Sequence, residues 1–278
     1  MTITPPAAEQ LRDAWDALAA GYDAHVTPLT RRLARDLLDR VDPRPGMDLL
    51  DVAAGTGAVS VMAAQAGARV VAVDHAPQMI ERLRARARAE DLSNLDGRVM
   101  DGHALDLPDE TFDVAVSLHG VALFPDVDRG LAELARVTRP GGKVVIGAFG
   151  PFHKVEPFGF VAGAMKAAIP GFTPPPKDPP PLPFQLADLD VLRRKLADAG
   201  LSAVAADTTT WDMPFESAAQ FWTTFASANP AWGQMTAGLT DQERAQVQQV
   251  LDGMFRERSG GGPKAVIHTE VNLAVGTK

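Results

Sequence analysis

The stretch MDLLDVAAGTGAVSVMAAQ, Met47 to Gln65, decides the architecture of this chain. Its first part, Met47 to Ala53, is a short apolar run broken by acids and has the length of a strand. Gly55 and Gly57 supply a turn, and Ala58 to Ala66 is an alanine-rich stretch suited to a helix. Strand, glycine loop and helix in that order present loop amides to a ligand at the helix start.

The same rhythm continues downstream. Arg69 to Asp74 reads as a second strand, Pro77 sits where a first helical turn tolerates proline, and Met79, Ile80, Leu83 and Ala87 follow at helical spacing. A third strand is expected near Gly97 to Met100 and a fourth at Phe112 to Leu118. Pro125 to Thr138 reads as a helix closed by RPGGK (Arg139 to Lys143), and VVIGAF is the fifth strand. Strands alternating with helices imply a parallel sheet with helices on both faces and a ligand at the carboxyl ends of the strands. Before this core, Ala7 to about Val41 reads as two helices around Thr27 and Pro28.

After Phe149 the rhythm breaks. Of 22 prolines, ten lie between Pro151 and Pro183, with PPP at Pro174 and again at Pro179, which predicts an extended connection serving as part of a lid. A helix over Leu186 to Ala199, a strand near Ala203 to Thr210, helices over Glu216 to Ala226 and Asp241 to Arg256, and a last strand, Ala265 to Val275, complete the reading. The expected organisation is an N-terminal helical cap (1–45), a cofactor-binding core (46–150), the proline-rich lid (151–185), and remaining core strands (186–278) carrying a helical substrate-side insertion (214–262).

Composition narrows the function. The 278 residues carry 27 basic and 35 acidic side chains, a net charge of −8, with no basic block to meet nucleic-acid phosphates. There is no cysteine, so disulfides, thiolate metal sites and a cysteine nucleophile are excluded. No apolar run approaches the ~20 residues of a membrane span, and MTITPPAAEQ lacks the features of a signal peptide. A cytoplasmic protein acting on a small molecule, with neither nucleic acid nor membrane as partner, is expected. No acidic or histidine cluster has metal-ligand spacing.

Two ligand classes use a glycine loop after a first strand: dinucleotides and S-adenosylmethionine. The dinucleotide pattern G-x-G-x-x-G fails, because the text from Gly55 is GTGAVS with Ser60 in the third glycine position. Asp74, ending the second strand, suits ribose hydroxyls in either class. Asp51 separates them: a carboxylate there repels a pyrophosphate, whereas S-adenosylmethionine presents an ammonium and a sulfonium and no phosphate. The plainer role for Asp51 is to bond loop amides.

Four stretches in order resemble the class I S-adenosylmethionine-dependent methyltransferases, in the subgroup similar to quinone-biosynthesis C-methyltransferases and small-molecule tailoring enzymes. They are LLDVAAGTG (Leu49 to Gly57), VVAVDHAPQMIERLRAR (Val70 to Arg86), MDGHALDLPDETFDVAVS (Met100 to Ser117) and LAELARVTRPGGKVVIGAF (Leu131 to Phe149). The resemblance implies an α/β, Rossmann-like doubly wound fold: a mostly parallel seven-stranded sheet with an antiparallel last strand, N-terminal helices and an inserted helical and proline-rich lid. It implies S-adenosyl-L-methionine as methyl donor and S-adenosyl-L-homocysteine as product. By the same resemblance Asp51, Ala53, Gly55 and Gly57 line the methionine end, Asp74 holds the ribose, and Met79 lies against adenine. Asp101 accepts from the adenine amino group beside the Gly102 amide, the Ser117 backbone faces the ammonium, and Tyr22 closes over the ligand. His75 joins this cofactor-binding set; its plainer role, like that of His103 in the other cofactor loop, is to cap or pack. The family usually has glycine at Ala53; alanine resists positive φ, which predicts β-region backbone at that position.

Methyl transfer is an in-line displacement on an activated methyl, so a general base is optional. Of six histidines, His119 is the leading candidate for one, just beyond the fourth strand, and His153 comes second. Ten of 12 phenylalanines and three of four tryptophans lie from Phe149 onward. Trp211, Phe215, Phe221, Trp222 and Trp232 therefore build either a pocket for an apolar or aromatic acceptor, with His153, or the small core of the inserted helices. Two other readings stand beside methyl transfer: an S-adenosylmethionine-binding protein with a non-methylating role, and a nicotinamide oxidoreductase. The short-chain form of the latter needs Tyr-x-x-x-Lys, and the only tyrosine, Tyr22, is followed by Val26 at that spacing.

Overall fold

The computed structural model describes residues 8–173 and 181–278. Its seven strands are β1 (Asp48–Val52), β2 (Arg69–Asp74), β3 (Leu95–Val99), β4 (Phe112–Leu118), β5 (Thr138–Phe149), β6 (Ser202–Phe215) and β7 (Ala265–Thr277). They form one sheet in the order β3-β2-β1-β4-β5-β7-β6. The first five run parallel, and β7 lies antiparallel between β5 and β6. This is the doubly wound, mostly parallel sheet that the resemblance implies, and its order reverses between β1 and β4, where a crevice for a ligand opens.

Among the described residues ten α-helices flank it: α1 (Ala8–Gly21), α2 (Thr27–Leu38), α3 (Ala58–Gln65), α4 (Pro77–Ala89), α5 (Val127–Val137), α6 (Glu156–Ala168), α7 (Leu189–Asp198), α8 (Ala218–Ala226), α9 (Pro230–Ala237) and α10 (Asp241–Ser259). Alternation along the strands divides the apolar residues between two cores. Leu49, Val116, Val145 and Leu273 face one layer with Leu33, Leu37, Met165, Phe221 and Phe255, while Leu50, Ala115, Val144 and Ile146 face Leu131, Leu134, Leu192 and Leu196. Local chemistry sets several helix ends. The Asp126 and Asp188 carboxylates accept first-turn amides of α5 and α7, and Thr240 with Glu243 forms a capping box that α10 closes at Gly260, φ 74°. Among the described residues no helix is long and apolar enough to cross a membrane.

Four local expectations change. Thr27 and Pro28 do not separate two helices: a π-helical turn over Tyr22–Val26 joins α1 to α2, the Thr27 amide reaching back to the Tyr22 carbonyl. Proline removes an amide from the ladder, and the widened turn is the adjustment helices make at such points, often beside a functional site. The segment read as an extended proline connection contains α6, whose Phe158, Val161, Ala164 and Met165 keep helical spacing among the prolines. The first PPP and most of the second fall in residues 174–180, outside the described residues. Helix α9, beginning at Pro230, was not expected at all. Finally, RPGG does not precede β5 but bulges within it, so that Phe112 pairs with Thr138 and Val114 already with Lys143.

Candidate functional site

At the carboxyl ends of β1, β2 and β4 lies a cleft of about 440 Å³. From the expected set, Tyr22, Ala53, Gly55, Asp74, His75, Met79, Asp101, Gly102 and His119 line it. A smaller inner chamber of about 30 Å³ is lined by Asp51 together with Tyr22, Ala53, Gly55, His119 and the hydroxyl residues Thr27, Thr30 and Thr56. Gly57 and Ser117 line neither chamber. Gly57 starts α3 at φ 92°, and a Cβ there would meet Leu83 at 3.0 Å. The Ser117 hydroxyl donates to the Val52 carbonyl (2.8 Å) and accepts from the Val121 amide (2.9 Å), fastening the end of β1 to the turn after β4.

Ala53 overturns the backbone expectation: its φ is 57°, left-handed, not β. The groups on either side of it explain why. The Val52 carbonyl is held by Ser117, and the Ala54 amide donates to the Val73 carbonyl on β2 (3.0 Å). With both neighbours tied to different strands, the connecting residue takes the conformation that satisfies them, whatever its side chain. Two variants test this. In Ala53→Gly, relief of the ~1–2 kcal/mol left-handed penalty is offset by loss of a partly buried methyl worth at most ~0.8 kcal/mol and by a more flexible unfolded chain. Stability is expected within about 1 kcal/mol of the parent in urea unfolding, whereas Ala53→Val, β-branched at positive φ, is expected to be clearly less stable. A stable valine variant would place Ala53 back in the β region.

Two carboxylates dominate the electrostatics. Asp51 is 1% exposed and accepts from the Ser60 hydroxyl at 2.5 Å. Burial, with Asp74 adding to it, pushes its pKa up to about 7 despite the Ser60 bond. Asp74 receives the Gly55 amide on one oxygen and the Ala76 amide on the other, both at 2.9 Å, and burial raises its pKa as well. Among the described residues no lysine or arginine pairs with either acid. Burial, then Asp74 and Asp51, pushes the Tyr22 phenol up to about 12. The His75 Nε2 is buried without a partner. At the far end Asp101 accepts both the backbone amide and the ring Nδ1 of His103, whose ring lies 4.4 Å from that of Phe124.

His119 sits where β4 leaves the sheet, at φ 61°, its amide bonded to the Gly147 carbonyl. Both ring nitrogens are buried and unpartnered, and burial lowers its pKa to about 4. The aromatic candidates fall elsewhere. Trp211 backs the His119 ring and donates from Nε1 to the Leu29 carbonyl at 3.1 Å. Phe215, Phe221 and Trp232 are buried in the ring cluster of the inserted helices, Trp222 packs partly buried against it, and His153 is exposed. None of these six lines the cleft or the chamber. Cleft residues not anticipated include Leu11, Arg12, Trp15, Leu118, Leu123 and Phe124. Trp15 was visible in principle, two helical turns before Tyr22 and in edge contact with it. Among the described residues no group of three or more acids or histidines is arranged to hold a metal ion.

Known proteins are similar to this core. Residues 50–146 match the family model described as a methyltransferase domain. Nocamycin O-methyltransferase of Saccharothrix syringae is 43% identical over 140 residues, 49% of each chain. Demethylmenaquinone methyltransferase of Renibacterium salmoninarum is 37% identical over 150 residues, covering 51% of this chain and 61% of that one. The match thus spans about half the length of the first of these relatives and under two thirds of the second. Among solved structures, Haemonchus contortus phosphoethanolamine N-methyltransferase 2 in complex with S-adenosyl-L-methionine has a TM-score of 0.54 at 16% identity, over 89% of this chain and 52% of that one. That likeness is one of fold.

Proposed function

We propose, because residues 50–146 match the methyltransferase domain model, that the chain transfers the methyl group of S-adenosyl-L-methionine to a small apolar or aromatic acceptor, releasing S-adenosyl-L-homocysteine. The observation that carries this reading is a pair of buried carboxylates, Asp51 and Asp74, lining two chambers that share Tyr22, Ala53, Gly55, Leu118 and His119, without a basic side chain among the described residues bonded to either. Such a site favours a cation that carries a diol and penalises a pyrophosphate. In this reading Asp74 keeps lone pairs for the ribose hydroxyls, Met79, Gly102 and Asp101 receive the adenine, and Asp51 with Tyr22 meets the ammonium. Leu118, His119 and Leu123 then bound the space toward which the methyl projects. When bound, the donor supplies an activated methyl; the chain's part is to hold it in line with the acceptor and to exclude water.

Calorimetric titration tests this at two pH values. S-adenosylmethionine is expected to bind and NAD(H) is not. A bound cation favours ionised Asp51, so the proton held below about pH 7 must leave on binding. Affinity is therefore expected to rise with pH, by about tenfold from roughly pH 6 to roughly pH 8, with proton release seen as a dependence of the heat on buffer ionisation enthalpy. Binding of NAD(H) without S-adenosylmethionine would overturn the proposal, and pH-independent affinity would remove Asp51 from the cation site.

A further inference from the structure

His119 is shared by both chambers, and its ring is fixed from behind by Phe149, centroids 4.2 Å apart at 24°, and by Trp211 at 6.1 Å. A histidine that removes a proton during turnover develops an imidazolium, and enzymes that use one commonly place a carboxylate on the second ring nitrogen to orient and stabilise it. Here the backing is aromatic, and neither nitrogen has any hydrogen-bond partner among the described residues. The other titratable or charged groups around the chambers are committed or distant in role. Tyr22 lines both chambers and Asp51 the inner one, where it is bonded to Ser60; Arg12, Asp74, His75, Asp101 and His103 lie in the outer cleft. Burial keeps the imidazole neutral at ordinary pH, so it offers one N–H donor and one acceptor.

Resting on the methyl-transfer reading above, we propose that His119 is not the base but a hydrogen-bond donor to an acceptor oxygen that reacts as its anion. The substrates are then acidic O–H compounds such as phenols and enols, not aliphatic alcohols or amines. The acceptor's proton passes to solvent before the oxygen reaches the chamber. An oxygen lone pair forms the new C–O bond while the C–S bond breaks, and the bonding pair remains on sulfur. Anion and sulfonium are consumed together, leaving a neutral methyl ether and a neutral thioether. Cancellation of opposite charges is favoured between apolar walls such as Leu118, Leu123 and Phe124. A base to carry the proton is then unnecessary, which fits an imidazole that has nothing to stabilise its charge.

The test is the pH dependence of kcat/KM for phenol, 4-chlorophenol and 4-nitrophenol, with cyclohexylmethanol as the alcohol, at S-adenosylmethionine concentrations that saturate at every pH so that the Asp51-linked rise in donor affinity drops out, and after calorimetry has established S-adenosylmethionine binding so that failure of the underlying reading is seen separately. The pH at which activity rises is expected to follow each phenol's own ionisation, lowest for 4-nitrophenol, and the alcohol is not methylated. His119→Ala is expected to lower kcat/KM by about 10- to 100-fold, the worth of one hydrogen bond to a charged oxygen, without moving the inflection. His119→Asn, which keeps a donor and tolerates positive φ, restores part of the loss. One inflection common to all three phenols, an inflection that moves with His119 substitution, or methylation of the alcohol as fast as of the phenols overturns the proposal.

Discussion

Asp74→Ala is expected to abolish measurable S-adenosylmethionine binding while leaving the unliganded fold nearly intact. The carboxylate joins the glycine loop to the start of α4, through the Gly55 amide on one oxygen and the Ala76 amide on the other, each at 2.9 Å. It is also the acceptor assigned to the ribose diol. Two charge-assisted bonds to ligand hydroxyls are worth roughly 3–6 kcal/mol together, a loss of at least about 100-fold in affinity. Stability of the unliganded protein responds differently. Burial already penalises the charged carboxylate, so its removal relieves that cost as it forfeits the two amide bonds, and the Gly55 and Ala76 amides beside the cleft can turn to water. Thermal unfolding separates the effects: the parent's rise in Tm with S-adenosylmethionine is expected to vanish in the variant, with little change in the unliganded Tm. An affinity within tenfold of the parent would remove Asp74 from the ribose site.

The parts of this architecture that were legible in the sequence are those written in neighbouring letters. Strand length, glycine punctuation and helical spacing located β1 through β5 and α3 through α5, because each depends on local patterning and on faces that alternate residue by residue. Asp74 and Asp51 were readable for the same reason, as acids at strand ends beside a glycine loop. What escaped depends on partners distant in the chain. The left-handed backbone of Ala53 follows from Ser117 and Val73, which pull on its two neighbours from separate strands. The environment of His119 comes from Phe149 on β5 and Trp211 on β6, adjacent only after β7 has inserted between those strands. Helix α6 was hidden for another reason: proline content dominated the reading of its surroundings, although its own apolar spacing is helical. The aromatic residues of the second half were offered two roles, pocket or core, and composition alone could not choose. Their burial against α6, α8 and α10 puts Phe215 and Phe221 in the core.

Gly120→Ala is expected to be the most damaging single methyl added to the site, and the reason returns to Ala53. Gly120 has φ −70° and ψ −60°, a conformation open to alanine, so the penalty is one of space. A Cβ at Gly120 would stand 2.4 Å from the Ala53 Cβ, 2.9 Å from the Ser117 Oγ and 3.2 Å from the Ala53 carbonyl oxygen. None of these can swing aside: the first and third are part of the loop itself, and Ser117 is fixed by Val52 and Val121. Relief requires moving the loop that carries Gly55 away from the turn that carries His119. Overpacking of this kind costs about 3 kcal/mol, a fall of roughly 6–12 °C in Tm for a chain of this size, and it displaces the two walls of the cleft together. Adding Ala53→Gly to Gly120→Ala exchanges the methyl from one side of the contact to the other and removes the shortest approach. The double variant is therefore expected to recover a substantial part of both stability and S-adenosylmethionine affinity, measured as a coupling energy in a double-mutant cycle. Strict additivity of the two substitutions would mean that Ala53 and Gly120 do not share the contact, and that alanine in the loop is tolerated for some reason other than the glycine opposite it.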